Sequence, residues 1–197
     1  MTLHTLGDSH ALIPWGSIPG VQVHYLGPLT MKRAGNPSEP LIPNTIATAH
    51  LAPNDTLVIC IGEIDIRCWA HIHATTRGCN PHDFLKEWAE DLLDKIAVPQ
   101  GVRAAVASVV PPRPKTLIDR PDEFPVAGSD ADRASYTRIL NAALRDGALR
   151  RGFAYVDTHT LSADADRMMR PDLADSSVHL ADPKVALAAL AAANIPI

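Results

Sequence analysis

Two periods of apolar and polar positions run through this chain. Residues 2–6 form a short Thr/Leu/His run ending at Gly7, and residues 21–26 alternate between Gly20 and Gly27. Residues 56–61 are almost continuously apolar up to Gly62. Residues 102–110 are rich in Val and Ala up to Pro111-Pro112, and residues 153–156 form a last short apolar run. These five segments read as strands, the third and fourth as central ones covered on both faces. Between them the period lengthens. Residues 81–96 (PHDFLKEWAEDLLDKI) place Phe84, Leu85, Trp88, Leu92 and Ile96 on one face at helical spacing. Residues 129–151 open on the cap residues Ser129-Asp130, close at Gly152, and carry Tyr136, Ile139, Leu140, Ala143 and Leu144 as their stripe. Residues 183–193 read as an alanine-rich closing helix.

Strands alternating with helices predict a parallel sheet covered on both faces. The expected fold is a three-layer α/β/α sandwich of the flavodoxin-like kind with a five-stranded parallel sheet, a single domain over residues 1–197. Residues 28–53, which hold several of the 17 prolines, and residues 111–128, rich in Pro and Asp, are expected to be long loops rimming a site.

Composition narrows the function class. Apolar residues make up 46% and charged residues 20% of the chain, with a formal net charge of −4. No basic run suggests a nucleic-acid partner. No apolar stretch approaches the ~18 residues of a membrane span, so no membrane partner is expected. The start MTLHTLGDSH does not read as a signal peptide, which makes the cytoplasm the expected location. The 3 cysteines do not suggest a disulfide framework. Cys68-x-x-His71 and Cys79-x-x-His82, with His73 between, have the residue types of a zinc site but the spacing of no known zinc motif. No metal and no cofactor is therefore expected, and Cys60 reads as a core residue.

The candidate chemistry sits at strand ends. Ser9 follows the first strand in Gly7-Asp8-Ser9-His10, at the carboxyl edge of the sheet where open α/β folds bind ligands. There a helix N-terminus would favour a developing oxyanion. From the local sequence alone, the plainer reading is that Asp8 or Ser9 merely caps this helix. A serine hydroxyl needs an adjacent base, and the base needs a carboxylate. Asp175-Ser176-Ser177-Val178-His179, after the fifth strand, offers His179 with Asp175 on the same loop and Asp172 in reserve. A surface histidine would be the alternative reading.

These residues resemble the SGNH/GDSL hydrolase family. Gly7-Asp8-Ser9 looks like its first block, and Asp175 with His179 its last. Gly62-Glu63-Ile64-Asp65 falls where the family carries Gly-x-Asn-Asp, and Gly27 where it carries its oxyanion-hole glycine. The segments GEIDIRC and FPVAGSDADRASYTRILN further resemble a bacterial subgroup with a Gly-Glu-Ile-Asp-x-Arg segment. The resemblance spans essentially the whole chain.

Two positions depart from the pattern. The usual Asp-x-x-His is here Asp175-x-x-x-His179, which leaves Asp175 and Asp172 both open as the acid. The oxyanion-donating Asn is replaced by Ile64, for which Arg67 is the candidate substitute. Glu63, Asp65 and Arg67 read equally as a structural ion-pair cluster beside the site.

The resemblance implies acyl transfer to water, with Ser9 as nucleophile, His179 as base and Asp175 orienting it. Gly27, Gly62, Glu63, Asp65, Arg67 and His71 would lie around the oxyanion and substrate. The implied partner is a small-molecule or glycan ester, an O-acetyl-like group on a sugar or related metabolite. An acyltransferase with the same Ser-His pair, or a catalytically weak binding protein on the same fold, would fit the same residues.

Overall fold

The structure is a computed structural model that describes residues 1–118 and 124–197. Five strands form one parallel sheet: β1 (Leu3–Gly7), β2 (Gln22–Tyr25), β3 (Thr56–Cys60), β4 (Arg103–Ala107) and β5 (Ala154–Val156), in the order β2-β1-β3-β4-β5. This is the flavodoxin-like order expected from the alternation of elements. Among the described residues eight α-helices surround the sheet: α1 (Ser9–Leu12), α2 (Met31–Ala34), α3 (Leu41–Thr48), α4 (His71–Arg77), α5 (Pro81–Leu93), α6 (Asp130–Arg150), α7 (Thr158–Ser162) and α8 (Pro183–Ala192).

The strand period of two divides the core between the sheet faces. Leu57, Ile59 and Ile61 of the third strand segment, with Leu6, Ala104 and Val106, join one cluster. It also holds Met31 of α2, Ile42 and Ile46 of α3, Leu85, Trp88 and Leu92 of α5, and Leu140 and Leu144 of α6. Val58 and Cys60, with Leu3, Ala105, Ala107 and Val156, join a second cluster with Ala11, Trp15, Ala186, Ala189 and Leu190. Leu57, Ile59, Leu85 and Leu92 are fully buried, each contributing about 1.5–3 kcal/mol of apolar burial.

The helix boundaries follow local chemistry. Asn80 caps α5 ahead of Pro81, where the missing proline N–H has no helical partner to lose. Ser129 and Asp132 form a reciprocal capping box at the start of α6, and Asp182 caps α8.

Residues 28–53 differ from the expected loop, because they contain α2 and α3. The prolines that suggested a loop are compatible with a helix there: Pro40 is the N-cap of α3 and Pro43 lies in its first turn, where helix N–H groups lack partners anyway. Ile42 and Ile46 face the core one turn apart. Of the loop expected at 111–128, residues 119–123 lie outside the described residues; the rest is irregular apart from a single 3₁₀ turn, Lys115–Leu117. The fourth strand ends at Ala107, so Ser108–Val110 of the predicted strand already belong to the loop that follows it. No helix among the described residues is long and apolar enough to cross a membrane.

Candidate active site

The carboxyl ends of β1 and β3 approach so closely that only glycine fits at the last position of β1. A Cβ on Gly7 would lie 2.0 Å from the Cys60 carbonyl oxygen. The chain then turns into α1, whose N-cap is Asp8, its side chain accepting from the His10 N–H at 2.8 Å. Ser9 is thereby the first residue of a helix at the carboxyl edge of the sheet, where its own N–H has no helical partner. The expected helix after the first strand is present, with Asp8 as the capping residue and Ser9 presenting its hydroxyl outward.

From the other end of the chain, the loop after the 3₁₀ turn Pro171–Leu173 folds back over this edge. Ala174 and Leu180 form an antiparallel bridge, and the Asp175 N–H donates to the His179 carbonyl at 3.0 Å. One oxygen of Asp175 accepts from the Ser177 N–H (2.7 Å) and the His179 N–H (3.1 Å). Arg113 closes the loop from beneath by donating to the carbonyls of Asp175 and Ser177. These bonds absorb the extra residue between Asp175 and His179 as a tight bulge.

The bulge directs the remaining Asp175 oxygen to His179 Nδ1 at 2.6 Å, and His179 Nε2 lies 2.9 Å from Ser9 Oγ. A proton on Nδ1 donated to Asp175 leaves Nε2 free to accept from the Ser9 hydroxyl. Asp172 stands apart, exposed and paired with Arg170. Burial lowers the His179 pKa, the neighbouring His10 lowers it further, and Asp175 opposes both. Burial raises Asp175, but the hydrogen bonds it receives from His179 and Ser177 outweigh that and hold it below the ordinary carboxylate range.

Around Ser9 and His179 opens a cleft of about 330 Å³, lined among others by Tyr25, Pro28, Ile64, Arg67, Ile118 and Phe124. Gly27 lies between two of these lining residues, at φ +74°, a left-handed conformation that glycine adopts without strain. The Leu26 N–H donates to the Gly7 carbonyl at 2.8 Å and ties this turn to the Ser9 turn.

Arg67 is both a cleft-lining residue and an ion-pair partner. Its Nε and Nη2 grip the two Glu63 oxygens at 2.6 and 3.0 Å, and Nη1 donates to the Phe124 carbonyl at 2.8 Å. A guanidinium carries five N–H donors, and three of them have partners among the described residues. Ile64, the substitution in the Asn position, presents only hydrocarbon.

The other expected site residues have different surroundings. Asp65 is buried beneath the site and accepts from the Met31 N–H at 2.7 Å, so it anchors the turn between β2 and α2. Burial raises its pKa to about 7. Gly62 packs against Val109 and Met31. His71 begins α4 and lies against Gly128 and Tyr136, its Nδ1 3.6 Å from Asp132 on α6; it is not among the cleft-lining residues. Among the described residues no group of three His, Cys, Asp or Glu side chains is arranged to hold a metal.

The structure adds His10, which sequence reasoning passed over. It is buried, with its ring centroid 4.8 Å from that of His179. Its nitrogens face Asp8 Oδ1 at 3.2 Å and the Val178 carbonyl at 3.5 Å. Its only sequence signal was adjacency to Ser9.

No protein-family model matches the sequence, and no curated protein does. The fold, in contrast, is shared with solved structures. An aryl esterase from Mycobacterium smegmatis matches with TM-score 0.57 at 15% identity, over 98% of this chain and 97% of that one. A carbohydrate acetylesterase from Sinorhizobium meliloti matches with TM-score 0.55 at 15% identity, over 98% and 96%. A member of the lipolytic G-D-S-L family from Veillonella parvula matches with TM-score 0.52 at 15% identity, over 98% and 97%. What is shared at these identities is the arrangement of the chain, and this protein has the fold of the SGNH/GDSL hydrolases.

Proposed function

We propose that the protein is a serine esterase that hydrolyses a small O-acyl ester, acetyl-like, on a sugar or related metabolite. The observation that carries this reading is the hydrogen-bonded chain from Ser9 Oγ through His179 to Asp175, with separations of 2.9 and 2.6 Å. Both distances lie within the reach required of a nucleophile, its base and an orienting carboxylate.

Ser9 Oγ attacks the ester carbonyl carbon, and its proton passes to His179 Nε2. The resulting oxyanion is held by the backbone N–H groups of Ser9 and Gly27. Collapse breaks the bond to the alcohol, which leaves with the proton from His179. Water then attacks the acyl-Ser9 ester, giving its proton to His179, and a second collapse releases the carboxylic acid and restores Ser9. Asp175 keeps the His179 tautomer correct and stabilises the imidazolium in both halves. A cleft of about 330 Å³ with a guanidinium in its wall suits a short acyl group on a polar alcohol. A carbohydrate acetylesterase among the proteins of this fold supports the sugar-ester choice. A fluorophosphonate probe should label Ser9 alone, read by mass spectrometry, and the protein should turn over p-nitrophenyl acetate. Labelling elsewhere, or no turnover, removes the esterase reading.

Arg67 supplies the donor that Ile64 lacks. Loss of one oxyanion donor costs roughly 10²–10³ in rate, so Arg67→Ala should lower kcat and kcat/KM together on that scale. A rise in KM with kcat unchanged would make Arg67 a contact to substrate only. A lowered melting temperature with both constants unchanged would reduce it to the partner of Glu63.

A further inference from the structure

Asp8 is fully buried, and one of its oxygens has no hydrogen-bond partner among the described residues. The other accepts from the His10 N–H at 2.8 Å and faces His10 Nδ1 at 3.2 Å. On the far side of the ring, Nε2 faces the Val178 carbonyl at 3.5 Å. A neutral imidazole has one donor and one acceptor nitrogen, whereas here both nitrogens meet acceptors, which only the doubly protonated ring satisfies. A cation beside a buried carboxyl group offsets the cost of charge there.

The two acceptors belong to the residues immediately before Ser9-His10 and immediately before His179, and His10 and Val178 are 168 positions apart in the chain. Resting on the reading of Ser9 and His179 as nucleophile and base, we infer that His10 is a positioning residue: an imidazolium clamped between Asp8 and Val178 that locks the Ser9 turn to the His179 loop and holds a positive charge against the base.

The charges around His10 define its effect. Asp8 faces it from the cap of α1, and Glu63 from the segment after β3, already gripped by Arg67. His179, backed by Asp175, faces it from the C-terminal loop. Cys60 lies near Asp8 but stays a neutral thiol, because burial drives its pKa up. Burial lowers the His10 pKa, yet Asp8 and Glu63 raise it further, and the net shift is upward. The cation repels a proton on His179, so the base is kept free at lower pH.

The test is a histidine-resolved NMR titration of the wild type and of His10→Gln, with kcat/KM profiles on p-nitrophenyl acetate alongside. His10 of the wild type should titrate above the ordinary histidine range. In His10→Gln the His179 titration and the acid limb of kcat/KM should both move to higher pH. A one-unit move lowers kcat/KM about tenfold on the acid side of the limb, with KM little changed. A His10 that titrates at or below the ordinary histidine value, seen in the wild type without need of any variant, overturns the assignment. So does an unmoved His179 titration in a folded variant, even if the melting temperature falls. Both NMR readouts are independent of turnover, so a failure of the esterase reading would show separately, as an unlabelled Ser9.

Discussion

Ser9→Ala is expected to reduce hydrolysis of p-nitrophenyl acetate by a factor on the order of 10⁶ in kcat, the scale of nucleophile removal in a serine hydrolase. The fold should survive. Ser9 is half-buried at a helix start and its hydroxyl bonds to His179, so the variant opens no core cavity. The cap of α1 is also retained, because Asp8 supplies it. The melting temperature should therefore stay near that of the wild type while the fluorophosphonate label disappears. A variant that hydrolyses the ester at the wild-type rate excludes Ser9 as the nucleophile.

Asp175→Asn is expected to lower kcat by about 10³–10⁴, near the scale of the carboxylate-to-amide change in a serine protease triad. The asparagine oxygen can still accept the Ser177 and His179 N–H groups that close the bulge, so the loop should keep its shape. Its amide nitrogen then points a donor at His179 Nδ1. This drives the histidine proton onto Nε2, where it can no longer accept from Ser9. Asp172→Asn should be close to neutral, since that carboxylate is exposed and paired with Arg170. A neutral Asp175→Asn beside a crippled Asp172→Asn would transfer the acid role to Asp172.

What was legible in the sequence was set by periodicity. The continuous apolar run of β3 and the helical stripes of α5 and α6 have one reading each, because a doubly covered strand and a one-sided helix bury different patterns. The strand order followed from the alternation of elements and its resemblance to a known family. The short helices α2 and α3 were hidden, because proline density suggests a loop unless the prolines occupy the first helical turn, which a local pattern does not reveal. The choice between Asp175 and Asp172 was undecidable from spacing. It depends on a bulge closed by Arg113, more than sixty positions away. His10 was illegible for a similar reason: its meaning comes from the Val178 carbonyl, and a lone histidine in a helix start carries no sign of such a partner.

The Ser9–His179 pair joins groups 170 residues apart, and this has a consequence for the protein during its synthesis. The last strand ends at Val156, so the residues of the whole sheet are translated before the base is. Without residues 175–179 the Ser9 hydroxyl would have neither the imidazole nor the carboxylate beside it and would remain an ordinary alcohol. On the reading of Ser9 as nucleophile and His179 as base, activation of the hydroxyl requires the loop that Arg113 closes to be docked. A serine esterase built this way would be silent towards esters until that loop is in place.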